Sequence, residues 1–343
     1  MLKSLIYLSE CLSAWLNDHD RKSYTSDDSA KFSELISNQH LINNWHSEQD
    51  ITAMLRHLSD LLTQNNIKKW IDSYPGLTDT ELKHKPVQIK PNADYSFAGI
   101  QEWLCCIIAQ TPFIIEADNN QFLLLKFLCK KLIDHNASFS VLFNFTSDKF
   151  SKPEQFILYT EKKNDSIKKY FSNKKAFIVE PRPSLAILTG NETEADLSEL
   201  GKDIFMHLGQ SNRTLRKIFV PSGFEIRKLI AALEPFAAVY RNNKYANNYD
   251  YHQSVYLMNR IPFLDNGFLL FKEDKQLEAP TGCLFYEYYN NLTDVIKVIE
   301  SVPYENLIST ETLPLKSVRP GRSHLFNLSD YPNKKDLIEF LIS

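Results

Sequence analysis

The cysteines are the side chains of this sequence that could most directly do nucleophilic or metal chemistry, because a thiolate is both a strong nucleophile and a good metal ligand. There are five of them: Cys11, Cys105, Cys106, Cys129 and Cys283. The number is odd, no two are spaced as CxxC, and Cys105 and Cys106 lie in an apolar run. This pattern is typical of buried thiols in a reducing cytoplasm and argues against a zinc site. Cys283 follows Pro-Thr-Gly and opens an apolar strand, which favours a structural thiol.

The spacing of the histidines does not indicate a metal site, and the number and spacing of the glycines do not indicate a nucleotide-binding loop. The nine histidines are scattered, and none pairs with a cysteine or another histidine at ligand spacing on one predicted face, so we predict no metal site. Glycine occurs only 9 times in 343 residues, whereas average usage is about 7%. Nucleotide-binding loops use glycine because the backbone must approach phosphate closely, and neither GxGxxG nor GxxxxGK[ST] occurs. A conventional dinucleotide loop is therefore not predicted.

Charge and hydropathy exclude two classes of partner. The formal net charge is -3 and the pI is near 6.3, so no basic excess indicates a nucleic-acid partner. No apolar run approaches the roughly 20 residues that a membrane span requires. The N-terminal stretch has apolar residues at helical spacing but includes Glu10, Asn17 and Asp18, which predicts an amphipathic helix and not a signal peptide. We therefore predict a cytoplasmic protein.

The elements that must position these side chains alternate between strand and helix over most of the chain. Residues 1 to about 75 have the apolar periodicity of helices, and Pro75-Gly76 closes this region. Beyond residue 80, short apolar runs alternate with helical patterns, which is typical of a doubly wound, mostly parallel sheet. The predicted strands are Phe113–Asp118, Ser140–Phe145, Phe156–Thr160, Ala176–Val179, Leu185–Thr189, Lys217–Pro221, Ser254–Asn259, Phe268–Asp274 and Cys283–Tyr289; the predicted helices are Phe122–Ile133, Leu197–Leu208, Glu225–Tyr240 and a final turn at Asp336–Ile342.

Three stretches of this α/β pattern resemble one family. They are Leu185–Phe205 (LAILTGNETEADLSELGKDIF), Lys217–Phe224 (KIFVPSGF) and Lys244–Asp274, which begins KYANNYDYHQSVYLMN and ends LDNGFLLFKED. Together they are similar to the LuxC-type fatty acyl-CoA reductases, a branch of the aldehyde-dehydrogenase superfamily. The resemblance covers nearly the whole chain and is strongest from 185 to 290, where KYANNYDY is a specific signal.

The resemblance implies both a fold and a reaction. The fold would be aldehyde-dehydrogenase-like, with a Rossmann-like cofactor domain, a second α/β domain of the catalytic type and a helical N-terminal region. Members of the family reduce fatty acyl-CoA to aldehyde with NADPH: a cysteine thiolate attacks the thioester, CoA leaves, and hydride reduces the acyl-enzyme. This chemistry needs a nucleophile, oxyanion donors, and a cofactor loop with cations for the phosphates.

The position of the family's nucleophile is occupied by Asn212. The family places its cysteine in a G-x-x-Cys segment just before the strand that reads KIFVP, and here that segment is Gly209–Arg213. An amide is not nucleophilic at neutral pH and cannot form the acyl-enzyme. The adjacent Ser211 would need a base, and His207 is the only histidine near it in sequence. The structural alternative for Ser211 and Asn212 is a polar turn at the end of a helix.

The position of the family's oxyanion donor falls on Asp94. Superfamily members use a side-chain amide in the loop after the first strand of the cofactor domain, and here that loop is Ile89–Asp94. An ionised carboxylate only accepts hydrogen bonds and would repel an oxyanion; losing one such donor costs about 3 kcal/mol. Asn92 lies two positions away. The structural alternative is that Asp94 caps the following helix.

The cofactor loops also depart from the family pattern. Where the family ends a strand in a lysine that binds the ribose or its 2′-phosphate, this chain has Glu116. The loop that reads T-G-S in relatives is Thr160-Glu161-Lys162, so the glycine that admits the phosphates is missing. For Glu116 the structural alternative is an exposed charge at a strand end. We expect NADPH binding to be weak or absent.

These departures favour a degenerate, non-catalytic copy of the family that acts as a partner subunit, as one half of a homodimer, or as a binder of acyl-CoA or acyl chains. The alternative is an active NADPH-dependent acyl-CoA reductase with an unusual site. The predicted regions are a helical N-terminal region (1–78), a Rossmann-like domain (79–192), a catalytic-type α/β domain (193–302) and a C-terminal segment (303–343). Four tyrosines, Tyr245, Tyr249, Tyr251 and Tyr256, either line an acyl pocket or, as is more usual for aromatics at this density, belong to the core or an interface.

Overall fold

The computed structural model describes residues 1–79, 85–92, 94–95, 98–116, 122–146, 153–160 and 165–343. The chain divides into two compact units, of which the first consists of Met1–Pro181 and Phe326–Ser343 and the second of Arg182–Leu325. The division into four regions that the sequence suggested stays a prediction.

Helices dominate the N-terminal region, as predicted. Capping side chains mark the start of several helices. For example, Ser47 Oγ accepts the backbone N–H of Asp50 at 3.1 Å where the fourth helix begins. In the described residues the α-helices are α1 Leu2–Arg21, α2 Asp27–Ser37, α3 Gln39–Ile42, α4 Glu48–Leu61, α5 Gln64–Asp72, α6 Ile100–Ile108, α7 Leu123–His135, α8 Asp165–Phe171, α9 Glu194–Phe205, α10 Ile226–Ala232, α11 Asn243–Met258, α12 Leu292–Glu300 and α13 Leu337–Ile342. None of them has the length and apolar character needed to cross a bilayer.

The first unit contains a five-stranded parallel sheet, called sheet A below. Its strands are β1 Val87–Lys90, β2 Phe113–Glu116, β3 Phe143–Thr146, β4 Gln155–Tyr159 and β5 Lys175–Val179, in the spatial order β3-β2-β1-β4-β5. The order reverses direction between β1 and β4. In doubly wound sheets this switch point, at the carboxyl ends of the strands, is where dinucleotides bind.

The second unit contains a six-stranded sheet, called sheet B. Its strands are β6 Ser184–Ile187, β7 Leu215–Pro221, β8 Leu264–Asp265, β9 Leu270–Glu273, β10 Cys283–Tyr289 and β11 Leu307–Ile308, in the order β11-β6-β7-β10-β9-β8. All neighbouring pairs are parallel except β8 with β9. Since β6 pairs with β7 and β11, it belongs to the sheet of the second unit.

Two predicted elements are corrected by the structure. The stretch Ser254–Asn259 was predicted as a strand but forms the end of helix α11, which starts where the side chain of Asn242 caps the backbone N–H groups of Lys244 and Tyr245. The stretch Glu225–Tyr240 is not one helix: α10 ends at Ala232, and a 3-10 helix follows over Glu234–Arg241, with proline near its start.

The C-terminal segment returns to the first unit. Trp70 Nε1 donates to the hydroxyl of Tyr331 at 2.7 Å, and the hydroxyl of Tyr74 donates to Asp336 Oδ2 at 2.7 Å. Such buried hydrogen bonds join parts of the chain that are far apart in sequence and fix the position of α13 against the N-terminal helices.

A buried aspartate ties α9 to the loop before the end of the second unit. The carboxylate of Asp203 accepts the N–H of Gly321 at 2.6 Å and of Ser323 at 2.8 Å, and His324 Nε2 donates to the backbone oxygen of Asp203 at 3.2 Å. Burial raises the pKa of Asp203 from 3.8 to about 6. Burial lowers the pKa of His324 from 6.5 to about 4, helped by the charges of Arg213 and Arg216.

The pKa shifts of Asp203 and His324 have opposite effects on the free energy of unfolding as pH changes. Because the pKa of Asp203 is raised, its contribution to stability is present below about 3.8 and is lost as pH rises through about 6. Because the pKa of His324 is lowered, its contribution is present above about 6.5 and is lost as pH falls through about 4. Between these values the two effects nearly cancel.

Replacing one of these two titrating side chains should therefore leave only the pH dependence of stability that the other contributes. Relative to the unsubstituted chain, Asp203→Asn should make stability rise between about pH 4 and pH 6.5, and His324→Gln should make it fall over the same window, each by up to about 3 kcal/mol. Urea unfolding across this window measures both slopes. Asp196→Asn is the matched control, because hydrogen bonds from Thr193 lower the pKa of this carboxyl and its effect lies below the window. Equal slopes in both variants would contradict the prediction.

Candidate functional site

The carboxyl-end edge of sheet A at the β1–β4 switch point is where a dinucleotide would bind in a fold of this order. After β1 the chain passes through Pro91 and Asn92 towards Gly99, whose φ of 85° lets the chain turn into α6. After β4 it reaches Thr160, whose backbone N–H donates to Val179 O at 3.1 Å. The remaining residues of the second loop, from Glu161 to Asn164, lie outside the described residues.

Asp94 lies exposed in the loop after β1. Its backbone N–H donates to Asn92 Oδ1 at 3.1 Å, and its Oδ1 accepts from the side-chain amide of Asn43 at 3.3 Å. It does not cap α6, because that helix begins at Ile100 with Gly99 as the N-cap; the capping alternative is therefore wrong. The bond from the Asp94 N–H uses only the acceptor oxygen of Asn92 and not the side-chain nitrogen that would donate to an oxyanion. The role assigned to Asp94 therefore stays a prediction.

The predicted cofactor positions are only partly visible. Glu116 is the last residue of β2, so the strand ends where the resemblance placed the family's lysine; its side chain lies outside the described part. Thr160 follows the end of β4 and is partly buried. Glu161 also lies outside the described residues. The roles assigned to these three positions stay predictions.

A buried carboxyl group near the same strand end was missed by the sequence analysis. Glu102, in the first turn of α6, is only 1% exposed and accepts a hydrogen bond from the hydroxyl of Tyr159, the last residue of β4. An acidic side chain therefore contacts the residue that precedes the second cofactor-type loop. Its signal in the sequence was a single charge within the apolar run IQEWLCCII.

In the second unit, the turn that carries the family's nucleophile position has an unusual backbone. His207, Leu208 and Gly209 have successive φ values of 54°, 53° and 73°. Only glycine adopts this left-handed region without strain. Three interactions hold the turn: Arg216 donates to Gly209 O, Gln210 Nε2 donates to Thr281 Oγ1 at 3.0 Å, and the Gln210 N–H donates to His207 O at 2.9 Å.

Asn212 lies in this turn and is partly buried, with Ser211 next to it. Ser211 is 6% exposed; its Oγ accepts the N–H of Arg213 at 3.1 Å, and its backbone oxygen accepts the N–H of Thr214 at 3.1 Å. Ser211 thus closes the polar turn that leads into β7. This is the local structure expected from the alternative interpretation of the Ser211–Asn212 pair.

The thiols are poorly suited to catalysis, and all five lie in described residues. Burial raises the pKa of Cys11, Cys105, Cys106 and Cys129. It also raises the pKa of Cys283 to about 11, although the hydroxyl of Tyr256 lies 3.7 Å from the sulfur and Arg216 and Lys272 oppose the shift. Nucleophilic thiols require the opposite balance, with the thiolate stabilised.

The tyrosines of α11 form part of the core on one face of the helix and are exposed on the other. Tyr245, Tyr249 and Tyr256 are at most 6% exposed, whereas Tyr251 is 63% exposed. The hydroxyl of Tyr245 donates to Phe268 O at 2.9 Å, and that of Tyr249 donates to Asp265 Oδ1 at 2.7 Å. The buried three therefore pack as core residues.

No cluster of histidine, cysteine, aspartate or glutamate in the described ranges is arranged to hold a metal ion.

Comparison with known proteins gives a fold but no sequence family. No protein-family model matches the chain, and no curated protein sequence matches it. Among solved structures, it is similar to aldehyde dehydrogenase 21 from Physcomitrella patens in complex with its reaction product succinate, at 12% identity over 91% of this chain and 74% of that one, with a TM-score of 0.59.

Two further structures agree. An NADP-dependent enzyme from E. coli is 10% identical over 89% of this chain and 73% of that one (TM-score 0.61), and an indole-3-acetaldehyde dehydrogenase in complex with NAD+ is 11% identical over 90% and 71% (TM-score 0.61). At this identity the likeness shows the fold alone. The predicted fold class is confirmed: the chain has an aldehyde-dehydrogenase-like α/β fold with parallel, Rossmann-like sheets and a helical N-terminal region.

Proposed function

We propose that this chain is a non-catalytic member of the LuxC-type acyl-CoA reductases that acts by binding, as a partner subunit or as a binder of acyl-CoA or acyl chains. The burial of the thiols carries the proposal: four of the five cysteine side chains are buried and that of Cys11 is partly buried, and this burial raises the pKa of each. The family's reaction passes through a thioester on the enzyme, and only a cysteine that is partly deprotonated and accessible forms it at a useful rate.

The turn before β7 supports the same conclusion. The resemblance assigns the nucleophile position to Asn212, and the amide there cannot be acylated in the family's way. The strained backbone at His207 and Leu208 is of the kind that collects at functional sites. A strained turn of this kind that has no cysteine at position 212 is consistent with descent from an active enzyme.

The residues assigned to the loops at the edge of sheet A support the prediction that NADPH binds weakly. The resemblance assigns Glu116 and Glu161 to positions that hold a cation and a glycine in the family, and the buried acid Glu102 contacts the end of β4. Acidic side chains oppose the approach of the negatively charged phosphates of NADPH.

Catalysis is tested by trapping the acyl-enzyme. The unsubstituted protein, incubated with a mass-tagged fatty acyl-CoA, should gain no thioester adduct, and NADPH-dependent aldehyde formation should not exceed background, because no thiol has the required pKa. Asn212→Cys should trap acyl groups slowly. Adding Asp94→Asn should speed trapping by about 100-fold, since one oxyanion donor is worth about 3 kcal/mol.

Asn212→Ala and Cys283→Ser are the matched controls for this experiment. Neither substitution should change the background, because the first adds no nucleophile and the second removes a thiol that is already buried. A stoichiometric adduct on the unsubstituted chain, or sustained aldehyde formation, would overturn the proposal in favour of the active reductase. Loss of the adduct on Cys283→Ser would then identify the nucleophile.

Cofactor affinity is a separate prediction. Calorimetric titration should give a dissociation constant for NADPH well above the low micromolar range, because acids stand where phosphate contacts are needed. Glu116→Lys with Glu161→Gly should tighten binding by about 1–3 kcal/mol, which corresponds to about 5- to 150-fold.

The control for charge alone is Glu154→Lys, which changes the net charge as much as Glu116→Lys. Glu154 is an exposed residue that forms an ion pair with Lys85 and precedes β4, at the amino end of the strand. It should leave NADPH affinity unchanged. Low-micromolar binding by the unsubstituted protein, or equal improvement by Glu154→Lys, would contradict the assignment of the cofactor loops.

A further inference from the structure

Strand β5 lies at one edge of sheet A, and within the described residues only one of its two sides is paired with another strand. The backbone oxygen of Val179 accepts the N–H of Thr160 at 3.1 Å, so the backbone groups of Val179 face β4. Because the backbone groups of successive strand residues point to opposite sides, those of Ala176, Ile178 and Glu180 face away from the sheet. An edge of this kind is a template for pairing with another strand.

A side-chain amide already pairs with the last of these three positions. Asn333, in the segment before α13, donates from Nδ2 to Glu180 O at 2.8 Å, and its Oδ1 accepts the Glu180 N–H at 3.0 Å. The amide thus satisfies both backbone groups of Glu180, as the backbone of a neighbouring strand would. For Ala176 and Ile178 the described residues supply no such partner on this side, and both residues are partly exposed. The edge is therefore closed at its carboxyl end and open at the two preceding outward positions.

A groove lies along the open part of this edge. Its walls include Ala176, Phe177 and Ile178 of β5 on one side and Glu339 and Phe340 of α13 on the other. Its volume of about 450 Å³ is within the range of ligand-binding pockets. The rings of Phe177 and Phe340 meet edge to face with their centroids 5.4 Å apart, so an aromatic surface joins the strand to the helix. The groove thus offers backbone hydrogen-bonding groups beside apolar side chains.

The helix side of the groove also carries a carboxylate that is available to a ligand. Glu339 is exposed and forms no ion pair with the described residues; only its backbone N–H serves the helix cap, by donating to Asp336 Oδ1 at 3.0 Å. The other charged side chains that line the groove, Lys335 and Asp336, lie at the start of α13, and Asp336 accepts the hydroxyl of Tyr74 at 2.7 Å. A basic side chain in the groove would therefore find its partner in Glu339.

We infer that the open edge of β5 binds an extended segment of a partner polypeptide, which adds to sheet A as a further strand. The backbone of this segment pairs with Ala176 and Ile178, an apolar side chain packs on Phe340, and a lysine or arginine pairs with Glu339. Binding at this edge needs neither a reactive thiol nor NADPH, so the inference does not depend on the proposed loss of catalysis.

A second copy of the chain fits this edge less well than a single extended segment. Two β5 strands that pair with each other would be related by a two-fold axis normal to the sheet, which leaves both α13 helices on the same face. Paired strands lie about 4.8 Å apart, whereas packed helices need about 8–10 Å. Since α13 lines the groove that the incoming strand must occupy, the helix of a second copy would crowd it.

Selection from a library of random linear dodecapeptides on the full, unsubstituted chain tests the inference. The selected peptides should bind with micromolar affinity, alternate β-branched or aromatic residues with polar ones, and contain a lysine or arginine. Ile178→Pro should weaken their binding about tenfold or more, because proline removes the outward N–H in a strand edge that tolerates it. Ile178→Val keeps this N–H and is the matched control, with a change of about twofold or less. Glu339→Gln should weaken binding by about two- to fivefold, as expected for an exposed ion pair.

Methylation of single backbone nitrogens in the tightest peptide gives a readout on the unsubstituted protein. Binding should be lost at every second residue and kept at the residues between, because alternate N–H groups of an added strand face β5. The absence of any selected peptide, equal binding to Ile178→Pro, or losses without this period of two would each overturn the inference. A chain that selects no peptide but forms a dimer that Ile178→Pro dissociates would overturn it in favour of a second copy.

Discussion

The turn between α9 and β7 is the constraint on which the second unit depends. Two residues that are not glycine, His207 and Leu208, hold left-handed backbone conformations, each at a cost on the order of 1–3 kcal/mol. Such a conformation persists only where surrounding contacts fix it, and here Arg216 and Thr281 bind the turn from β7 and from the residues before β10. The backbone of the turn at His207 and Leu208 is therefore held by contacts from β7 and from the segment before β10.

Burial then decides what chemistry this region can support. Lys217 is fully buried on β7, where it pairs with Glu287 at 2.8 Å and donates to Asp274 O. A buried ion pair of this kind adds little net stability but is costly to break, because one charge would be left alone. Burial lowers the pKa of Lys217 despite its bond to Glu287, and it raises the pKa of Cys283 to about 11, so it disfavours the charged form of both groups. In the second unit the buried amine of Lys217 therefore has hydrogen-bond partners, and the buried thiol of Cys283 is protonated at neutral pH.

Much of the fold followed from local sequence patterns, because short apolar runs and capping residues act over a few positions. The runs at β5, β7, β9 and β10 were predicted to within two residues. The end of α11 was predicted as a strand because SVYLMN is almost wholly apolar, which a buried strand and a partly buried helix share. The signal that decides between them is the helix cap at Asn242, twelve residues before the stretch begins at Ser254.

The candidate site was predictable only where a motif carries it. Asn212 and Asp94 could be assigned as candidates because each lies in a short segment that resembles a family pattern, and both assignments stay predictions. The contacts of Asp203 with His324 and of Glu102 with Tyr159 could not, because they join residues 121 and 57 positions apart that follow no motif. Such pairs depend on how the sheets and helices assemble, which single-sequence patterns do not report.

The residues that form the core of the second sheet are separate from the residues that the proposed function concerns. The core of sheet B is built from apolar side chains such as Leu185, Ile187 and Phe219, none of which lies in the turn at 212 or in the loop at 94. Changing a partly buried turn residue or an exposed loop residue removes no core contact and leaves the strained backbone in place, since relieving it would mean repacking the fully buried His207. Under the proposed function, in which the family's cysteine has been replaced, selection on stability alone would not restore it. A structural similarity at 10–12% sequence identity shows that the fold is shared and does not show which reaction, if any, the chain catalyses.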